Sequence, residues 1–492
     1  MENISTKCGD IDALHAINDN QVSLLGLDFG STTSSALVAS AKVNISNATG
    51  RVEFSNISIK YRSKPVFTPF INQTIDVDSV SSLVHHWLKQ SKVAIDAIFT
   101  GGSIITGLAA QATNATALSK VISQIVGDNI IAVADDPRLE SWLAFMGNCS
   151  ALSRYNASTN ILNLDIGGGT SNIAIGSNGN VLETGCYFIG ARHFQFKPGS
   201  YQLRSISEYG LALLKSLKFE VKIGDTLNTN QCNCLIAFYV KALESIVLNN
   251  QAYFDEPSAK LHCQFAIKIP NSLKPKITFS GGVGELLYKH VEGVKLPSTT
   301  FFGDFGIDLA KAIAKSTILS KDLNSFIPEN KGRATLYGLT FHNTEISGNT
   351  IYLKNPRSLP LRNLPIIAKL AFNNTDHQWE QAFELASKHQ IGACIQIINF
   401  NAQTDSQSIN NIKLLANKIR FNFFNSYYEA TKPLLILVEN NIGKVLGNYI
   451  SDWGQSMQNL IVIDEVPLRN AHFVNLGRMH QKLVPVSFFG IH

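Results

Sequence analysis

The stretch Leu164-Asp165-Ile166-Gly167-Gly168-Gly169-Thr170-Ser171-Asn172 decides the fold of this chain. It joins an apolar strand predicted over Ile161–Asp165 to a second strand predicted over Asn172–Ile175. Three consecutive glycines let a backbone approach a ligand closely, and the N–H groups of such a turn can surround an anion. We therefore predict that Gly167, Gly168, Gly169 and Thr170 bind phosphate. We also predict that Asp165 holds a hydrated magnesium ion and takes part in catalysis.

A similar pattern occurs nearer the start of the chain. A strand predicted over Val22–Asp28 is followed by a turn over Phe29–Thr33 and a second strand over Ser34–Ala39. By the same reasoning, Asp28 is a candidate magnesium ligand, and the candidate phosphate contacts are Gly30, Ser31, Thr32 and Thr33. Taken alone, an Asp-x-Gly hairpin turn without a ligand is the commoner case.

A third glycine motif lies in Thr278–Glu285. The pattern predicts a strand over Ile277–Phe279, a tight turn over Ser280–Gly284 and a helix from Glu285. Glycines at such a position let a nucleoside lie against the backbone, so Gly281 and Gly282 are candidate nucleotide contacts. An ordinary strand-to-helix turn explains this motif equally well when it is considered alone.

The order of the three motifs resembles the phosphate-1, phosphate-2 and adenosine motifs of the superfamily of actin, sugar kinases and heat-shock chaperones. The resemblance implies an α/β actin-like ATPase fold, in which two ribonuclease-H-like lobes enclose a cleft for ATP and Mg²⁺. We expect a disordered segment over residues 1–20, a first lobe over 21–155, a second lobe over 156–325 and a C-terminal α/β region over 326–492. The polar stretch Asn148–Asn160 is the predicted boundary between the lobes.

Glu140 lies in a helix predicted over Arg138–Met146, just before the glycine-rich turn. The surrounding Pro137–Ala144 is similar to the superfamily segment whose glutamate orients the attacking water, which implies a catalytic role for Glu140 in ATP hydrolysis. The alternative is a glutamate favoured by the helix dipole in a first turn.

Composition excludes several other classes of protein. Charged residues are 16% of the 492 residues, the net charge is +5, and Lys and Arg form no block, so neither nucleic-acid nor membrane binding is indicated. No signal peptide or bilayer-spanning apolar run is visible, and we expect a cytoplasmic protein. Cys232 and Cys234 have no second cluster at zinc spacing, so we interpret them as thiols on an apolar helix.

Several further blocks resemble the reactivating factors of ethanolamine ammonia-lyase. They are Tyr61–Pro69, Ile104–Gly107, Asn163–Asn172, Thr184–Cys186, Ile189–Gly190, Phe302–Gly306, Arg333–Thr335, His342–Gly348 and Gly443–Gly447. The resemblance implies an ATP- and magnesium-dependent chaperone with ATPase activity, whose partner is the cobalamin-dependent lyase. Such a factor promotes release of damaged cobalamin so that intact adenosylcobalamin can bind. A homodimer and association with a bacterial microcompartment are left open.

Two stretches depart from this family: Leu108–Gln111 replaces a polar run, and Phe145–Asn148 replaces a more glycine-rich one. These departures leave open a nucleotide binder that does not hydrolyse ATP. Two further alternatives are a small-molecule kinase of the same fold and a polymer-forming actin-like protein. Arg62 and Arg333 could face phosphate, a partner or solvent. Gly443-Lys444 does not complete the Gly-x-x-x-x-Gly-Lys-(Ser/Thr) pattern of a P-loop, and Lys444 is interpreted as solvated.

Overall fold

The computed structural model describes residues 21–45, 51–71, 74–106, 115–126, 130–134, 136–348, 350–400 and 406–491. The segment 1–20, predicted to be disordered, and the altered stretch Leu108–Gln111 lie outside these residues.

The first lobe is a twisted sheet with the strand order β3-β2-β1-β7-β8. Its elements are β1 (Gln21–Phe29), β2 (Thr33–Ile45), β3 (Val52–Arg62), β4 (Val66–Phe67), β5 (Phe70–Ile71), β6 (Thr74–Ile75), α1 (Val77–Ser91), β7 (Ile98–Ile105), α2 (Ala115–Val126) and β8 (Ile130–Ala134). Strand β1 runs antiparallel to β2 and parallel to β7. Buried apolar side chains of β1, such as Leu27, pack against α1 and α2. The side chain of Asp76 caps α1 by accepting from Ser79 N at 3.2 Å.

The second lobe repeats the core of this order as β11-β10-β9-β15, with β14 added beside β11. The chain reaches it through α3 (Pro137–Asn148) and α4 (Ser150–Tyr155), followed by β9 (Ile161–Ile166), β10 (Ser171–Ser177), β11 (Asn180–Tyr187), β12 (Phe194–Phe196), β13 (Leu203–Ile206), α5 (Glu208–Ser216), α6 (Thr229–Val247), β14 (Cys263–Phe265), β15 (Lys276–Ser280), α7 (Gly281–Val291) and α8 (Gly306–Lys315). Strand β9 is antiparallel to β10 and parallel to β15, as β1 is to β2 and β7. This repeated topology confirms the prediction of an actin-like α/β fold.

The C-terminal region forms a third sheet with the order β16-β23-β22-β18-β19-β20-β21-β17. Its elements are α9 (Ala334–Phe341), β16 (Thr344–Ser347), β17 (Tyr352–Leu353), β18 (Leu361–Ala371), α10 (Asp376–Ser387), β19 (Ala393–Ile398), α11 (Ser406–Asn425), β20 (Leu434–Val438), α12 (Gly443–Ile450), β21 (Leu460–Ile463), β22 (Ala471–Leu476) and β23 (Val484–Ile491). Strands β18 to β21 are parallel and joined through helices.

Helices α3 and α9 lie between the sheets of the two lobes. On α9, Leu336 packs against Leu37 of the first sheet. On α3, Ser141 Oγ donates to Gly185 O of the second sheet at 2.9 Å. The two helices cross in backbone contact, because a Cβ at Gly338 would lie 2.0 Å from Leu143 O and a Cβ at Gly147 would lie 2.0 Å from Ala334 O. The domain boundaries at 155/156 and 325/326 stay predictions.

One local prediction is wrong. Residues Ser280–Gly284 do not form a separate turn before a helix at Glu285, because α7 begins directly at Gly281. Gly281 has φ +77°, a conformation that favours glycine, and it redirects the chain in a single residue. The helix therefore starts closer to the end of β15 than the sequence indicated.

Candidate functional site: two glycine-containing turns in contact

The turns that follow β1 and β9 have the same construction. Gly30 N donates to Thr33 O at 3.0 Å, and Gly167 N donates to Thr170 O at 2.9 Å. The turns also meet across the lobes, since a Cβ at Gly168 would lie 2.2 Å from Thr32 Oγ1 and 3.5 Å from Ser31 Cβ. The structure therefore brings together the first two predicted phosphate motifs, which are far apart in the sequence.

The loop after β11 holds the second turn in place through two backbone hydrogen bonds. Ala191 N donates to Gly167 O at 3.2 Å, and Arg192 N donates to Gly168 O at 2.6 Å. In a planar trans peptide the C=O and the following N–H point in opposite directions. The N–H groups of Gly168 and Gly169 therefore point away from this loop, as phosphate binding requires.

Thr68 holds the first turn in the same manner. Its hydroxyl donates to Gly30 O at 2.6 Å, and its backbone N–H donates to Thr32 O at 3.0 Å. The peptide N–H groups of Ser31 and Thr33 consequently point away from Thr68. Sequence reasoning did not identify Thr68 as a site residue, although it lies within the Tyr61–Pro69 block that carried the family resemblance.

Three carboxyl groups, those of Asp28, Glu140 and Asp165, lie close enough to one another for their charges to interact. Burial, followed by the charge of Asp165, raises the pKa of Asp28 to about 7. Burial also raises the pKa of Asp165 to about 6, against an opposing hydrogen bond from Ser280. The pKa of Glu140 is raised well above its ordinary value, first by burial and then by the charges of Asp165 and Asp28. The charge of ionised Asp165 thus disfavours ionisation of Asp28 and Glu140, and a bound cation would reverse that effect.

The residues present fit a magnesium ion held through water and phosphate oxygens. Asp28 is partly exposed, but its Oδ1 atom is buried and accepts no hydrogen bond from the residues described. Among those residues, no three His, Cys, Asp or Glu side chains are arranged to ligate a metal ion by themselves. Mg²⁺ commonly keeps several waters and takes one or two carboxylates together with substrate phosphates. Asp28 and Asp165 are suited to that arrangement.

A chain of polar side chains fixes the orientation of Asp165. Ser280 Oγ donates to Asp165 Oδ1 at 2.5 Å, and Asn163 Nδ2 donates to Ser280 Oγ at 2.9 Å. Asn148, the last residue of α3, donates to Asn163 Oδ1 at 3.1 Å. The helix that carries Glu140 is thereby tied to the strand that carries Asp165. Sequence reasoning missed Asn148 and Asn163 as supporting residues, because the contacts depend on the pairing of β9 with β15.

The third motif lies at the same end of the second sheet. The register of β15 and β9 places Ser280 beside Asp165. A Cβ at Gly281 would lie 2.5 Å from Ile166 O, whereas a Cβ at Gly282 would meet no atom within 4 Å. Gly282 therefore faces open space, where a nucleoside could lie against the backbone.

Glu140 is positioned by its own helix and by both lobes. Asp136 caps α3 by accepting from Leu139 N at 3.0 Å, with Pro137 in the first turn. Side chains of Thr106 from the first lobe and Asn172 from the second form hydrogen bonds with Glu140. The structure thus places Glu140 at the junction of the two lobes, beside both aspartates. Its catalytic role stays a prediction.

Several other predicted candidates lie elsewhere. Arg333 Nη1 donates to Ser63 O at 2.7 Å, and Arg62 donates to the Tyr337 hydroxyl at 3.2 Å, so both connect the end of β3 to α9. Lys444 is exposed on α12 in the C-terminal region. These residues are not part of the contact between the two turns.

No helix within the described ranges is both long enough and apolar enough to cross a membrane.

Comparison with known proteins identifies relatives over nearly the whole chain. The family model described as "Ethanolamine utilisation protein EutA" matches residues 20–488. The ethanolamine ammonia-lyase reactivase EutA of Salmonella typhimurium is 27% identical over 478 residues, covering 94% of this chain and 96% of the relative. The protein of the same description from Escherichia coli is 26% identical over 474 residues, with the same shares covered.

Solved structures give weaker matches. The PPX-GPPA enzyme of Aquifex aeolicus is 13% identical with a TM-score of 0.35, covering 65% of this chain and 98% of that chain. The assignment of the fold here rests on the strand order of the two lobes.

Proposed function

Since the chain belongs to the ethanolamine utilisation protein EutA family, we propose that it is an ATP-dependent reactivating chaperone of ethanolamine ammonia-lyase. In this role it promotes release of damaged cobalamin, so that intact adenosylcobalamin can bind to the lyase. The observation that supports the nucleotide-binding part of the proposal is the contact between Thr32 and Gly168, which brings two turns of like construction together. The naming of both curated relatives supports the choice of partner.

The phosphate chain of ATP lies against both turns, beside the point where Thr32 and Gly168 meet. Backbone N–H groups of Gly168 and Gly169 face it from the second lobe, and those of Ser31 and Thr33 face it from the first. Successive N–H groups of this kind form a concave site for an anion. Gly281 and Gly282 receive the nucleoside at the end of β15, next to Asp165.

Asp28 and Asp165 would hold Mg²⁺ beside the two turns. When bound, this ion neutralises charge on the phosphates and permits both aspartates to stay ionised. Asp28 supplies its buried Oδ1, and Asp165 is held in place by Ser280. Glu140 orients the water that attacks the γ-phosphate, with Thr106 and Asn172 keeping its carboxyl group in position.

Each turn belongs to a different lobe, and both turns contact the phosphates of ATP. Hydrolysis therefore changes the contacts that hold the two lobes together. A factor that binds the open form of the lyase more tightly than the closed form shifts the lyase towards opening. ATP turnover then resets the factor for another cycle. The cobalamin chemistry belongs to the lyase, so this function does not require a cobalamin site on the present chain. We also propose that the factor acts in the cytoplasm.

The test is recovery of a damaged lyase. Ethanolamine ammonia-lyase is inactivated with cyanocobalamin, and this protein, ATP, Mg²⁺ and adenosylcobalamin are then added. We expect recovered deamination, which requires ATP and disappears with Asp165→Asn. Asp96→Asn, at an exposed position outside the cleft, serves as the matched control and should recover normally. Absence of recovery with the unaltered protein would overturn the proposed function.

A further inference from the structure

Arg192 lies in the loop after β11, beside the second turn, and its side chain extends towards the first lobe. Its backbone N–H donates to Gly168 O at 2.6 Å, which fixes the residue beside the second turn. The guanidinium carbon lies 5.9 Å from the centre of the Phe67 ring in β4. Phe67 is paired with Thr33 in the register of β4 and β2. The positive charge of Arg192 therefore lies where the two turns approach one another.

The guanidinium is only loosely paired within its own lobe. Arg192 Nη1 lies 3.6 Å from Asp304 Oδ2, and the same nitrogen donates to Phe302 O at 3.4 Å. A close pair between arginine and a carboxylate has N–O distances of about 2.7–2.9 Å, and a guanidinium has five N–H donors. The Arg192 side chain is 20% exposed, whereas that of Asp304 is 6% exposed. The guanidinium can therefore exchange its present partner for a better one that enters from the cleft.

A terminal phosphate is the group that suits this exchange. The planar fork of arginine matches phosphate oxygens and forms paired, charge-assisted hydrogen bonds with them. The three carboxyl groups of Asp28, Glu140 and Asp165 already lie close together there, so a phosphate chain adds to the negative charge. Nucleotide binding at this place consequently favours a cation close to both turns.

We propose that Arg192 contacts the terminal phosphate of bound ATP, and that its guanidinium leaves Asp304 to do so. This inference rests on the proposed function, and it adds a residue that distinguishes ATP from ADP. Asp304 keeps the 2.9 Å hydrogen bond that its Oδ1 accepts from Gly306 N at the start of α8. The loss of the γ-phosphate returns the guanidinium to Asp304 and reforms the ion pair.

The opposite interpretation is that Arg192 and Asp304 form a structural pair with no role in nucleotide recognition. Substitution of the two partners separates these interpretations. If Arg192 acts on phosphate, removing Asp304 frees the guanidinium and should preserve or increase ATP affinity. If the pair is structural, removing either partner should have the same effect on binding.

The experiment measures binding of ATP and of ADP to the full chain with Mg²⁺ by titration calorimetry, using a slowly hydrolysed ATP analogue where turnover interferes. For Arg192→Ala we expect about a 10- to 100-fold loss of ATP affinity, the size associated with a charge-assisted hydrogen bond. ADP affinity should change less than about threefold. Arg192→Lys should lose part of the ATP affinity, and it provides the test if Arg192→Ala does not fold. Asp304→Asn should bind ATP at least as tightly as the unaltered protein.

Two results would overturn the assignment of Arg192: an equal loss of ATP and ADP affinity in the Arg192 variants, or a loss in Asp304→Asn that matches theirs. Failure of the unaltered protein to bind either nucleotide would instead remove the proposed function, together with this inference.

Discussion

The hydroxyl of Thr32 occupies the space that a Cβ on Gly168 would need, with only 2.2 Å between the two positions. The first and second lobes thus meet at the turns themselves, where a single added methyl group would collide. This close contact explains why glycine is required at the centre of the second turn.

Gly168→Ala should destabilise the protein and weaken ATP binding, because the added methyl group separates the turns. Overpacking of this kind costs about 1–3 kcal/mol. The free energy of unfolding by urea and the ATP dissociation constant measure the two effects. The double variant Thr32→Ala/Gly168→Ala removes the colliding hydroxyl and should recover much of the lost stability. No recovery in the double variant would show that the collision with Thr32 is not the cause.

Asp28→Asn should raise the free energy of unfolding of the nucleotide-free protein, compared with the unaltered protein, by more at pH 8 than at pH 5. The folded pKa of Asp28, about 7, lies above the value of about 3.9 expected in an unfolded chain. Between these values the folded state binds more protons than the unfolded state, so the contribution of Asp28 to stability falls as the pH rises. The amide stays neutral and removes this dependence. Thermal melting from pH 4 to 9 measures it, with Asp96→Asn as the control; parallel profiles for Asp28→Asn and the unaltered protein would contradict the expectation.

Binding of Mg²⁺ with nucleotide should release protons, more at pH 6 than at pH 9. At pH 6 the carboxyl group of Asp28 is mostly protonated and that of Asp165 partly so, since their pKa values are about 7 and about 6. A cation favours the ionised forms and lowers both pKa values. At pH 9 both groups are already ionised, so little proton is lost. Calorimetry in buffers of different ionisation enthalpy gives the number of protons, and equal release at the two pH values would be inconsistent with the assigned site.

Glu140→Gln should retain nucleotide binding but lower the rate of ATP hydrolysis by about a hundredfold or more, the usual contribution of a positioned acid or base. Glutamine keeps the size of the side chain and removes the charge. Phosphate release under single-turnover conditions measures the chemical step. Glu183→Gln, at an exposed position in β11, is the matched control. Unchanged hydrolysis in Glu140→Gln would favour another residue as the group that orients water.

The sequence identified the strands and turns of the site because their signals are local. An apolar run that ends at Asp28 or Asp165 and enters glycines specifies strand, turn and strand within a few residues. The sequence did not indicate that Thr68 holds the first turn or that Asn148 and Asn163 support Ser280. Those contacts depend on how strands and helices pair over long separations, which side-chain patterns along one segment do not encode. The start of α7 at Gly281 was missed because the positive φ of that residue shortens the connection to a single position.

The glycines at the crossing of α3 and α9 limit how the two lobes can move. Gly147 and Gly338 allow the helices to touch main chain to main chain, with no side chain between them at that point. Translation of one helix along the other would drive neighbouring side chains into the backbone, whereas rotation about the crossing keeps the contact intact. If the lobes move apart, the crossing of α3 and α9 would therefore act as the pivot of the rotation. A small rotation there would give larger displacements at the outer edges of the lobes.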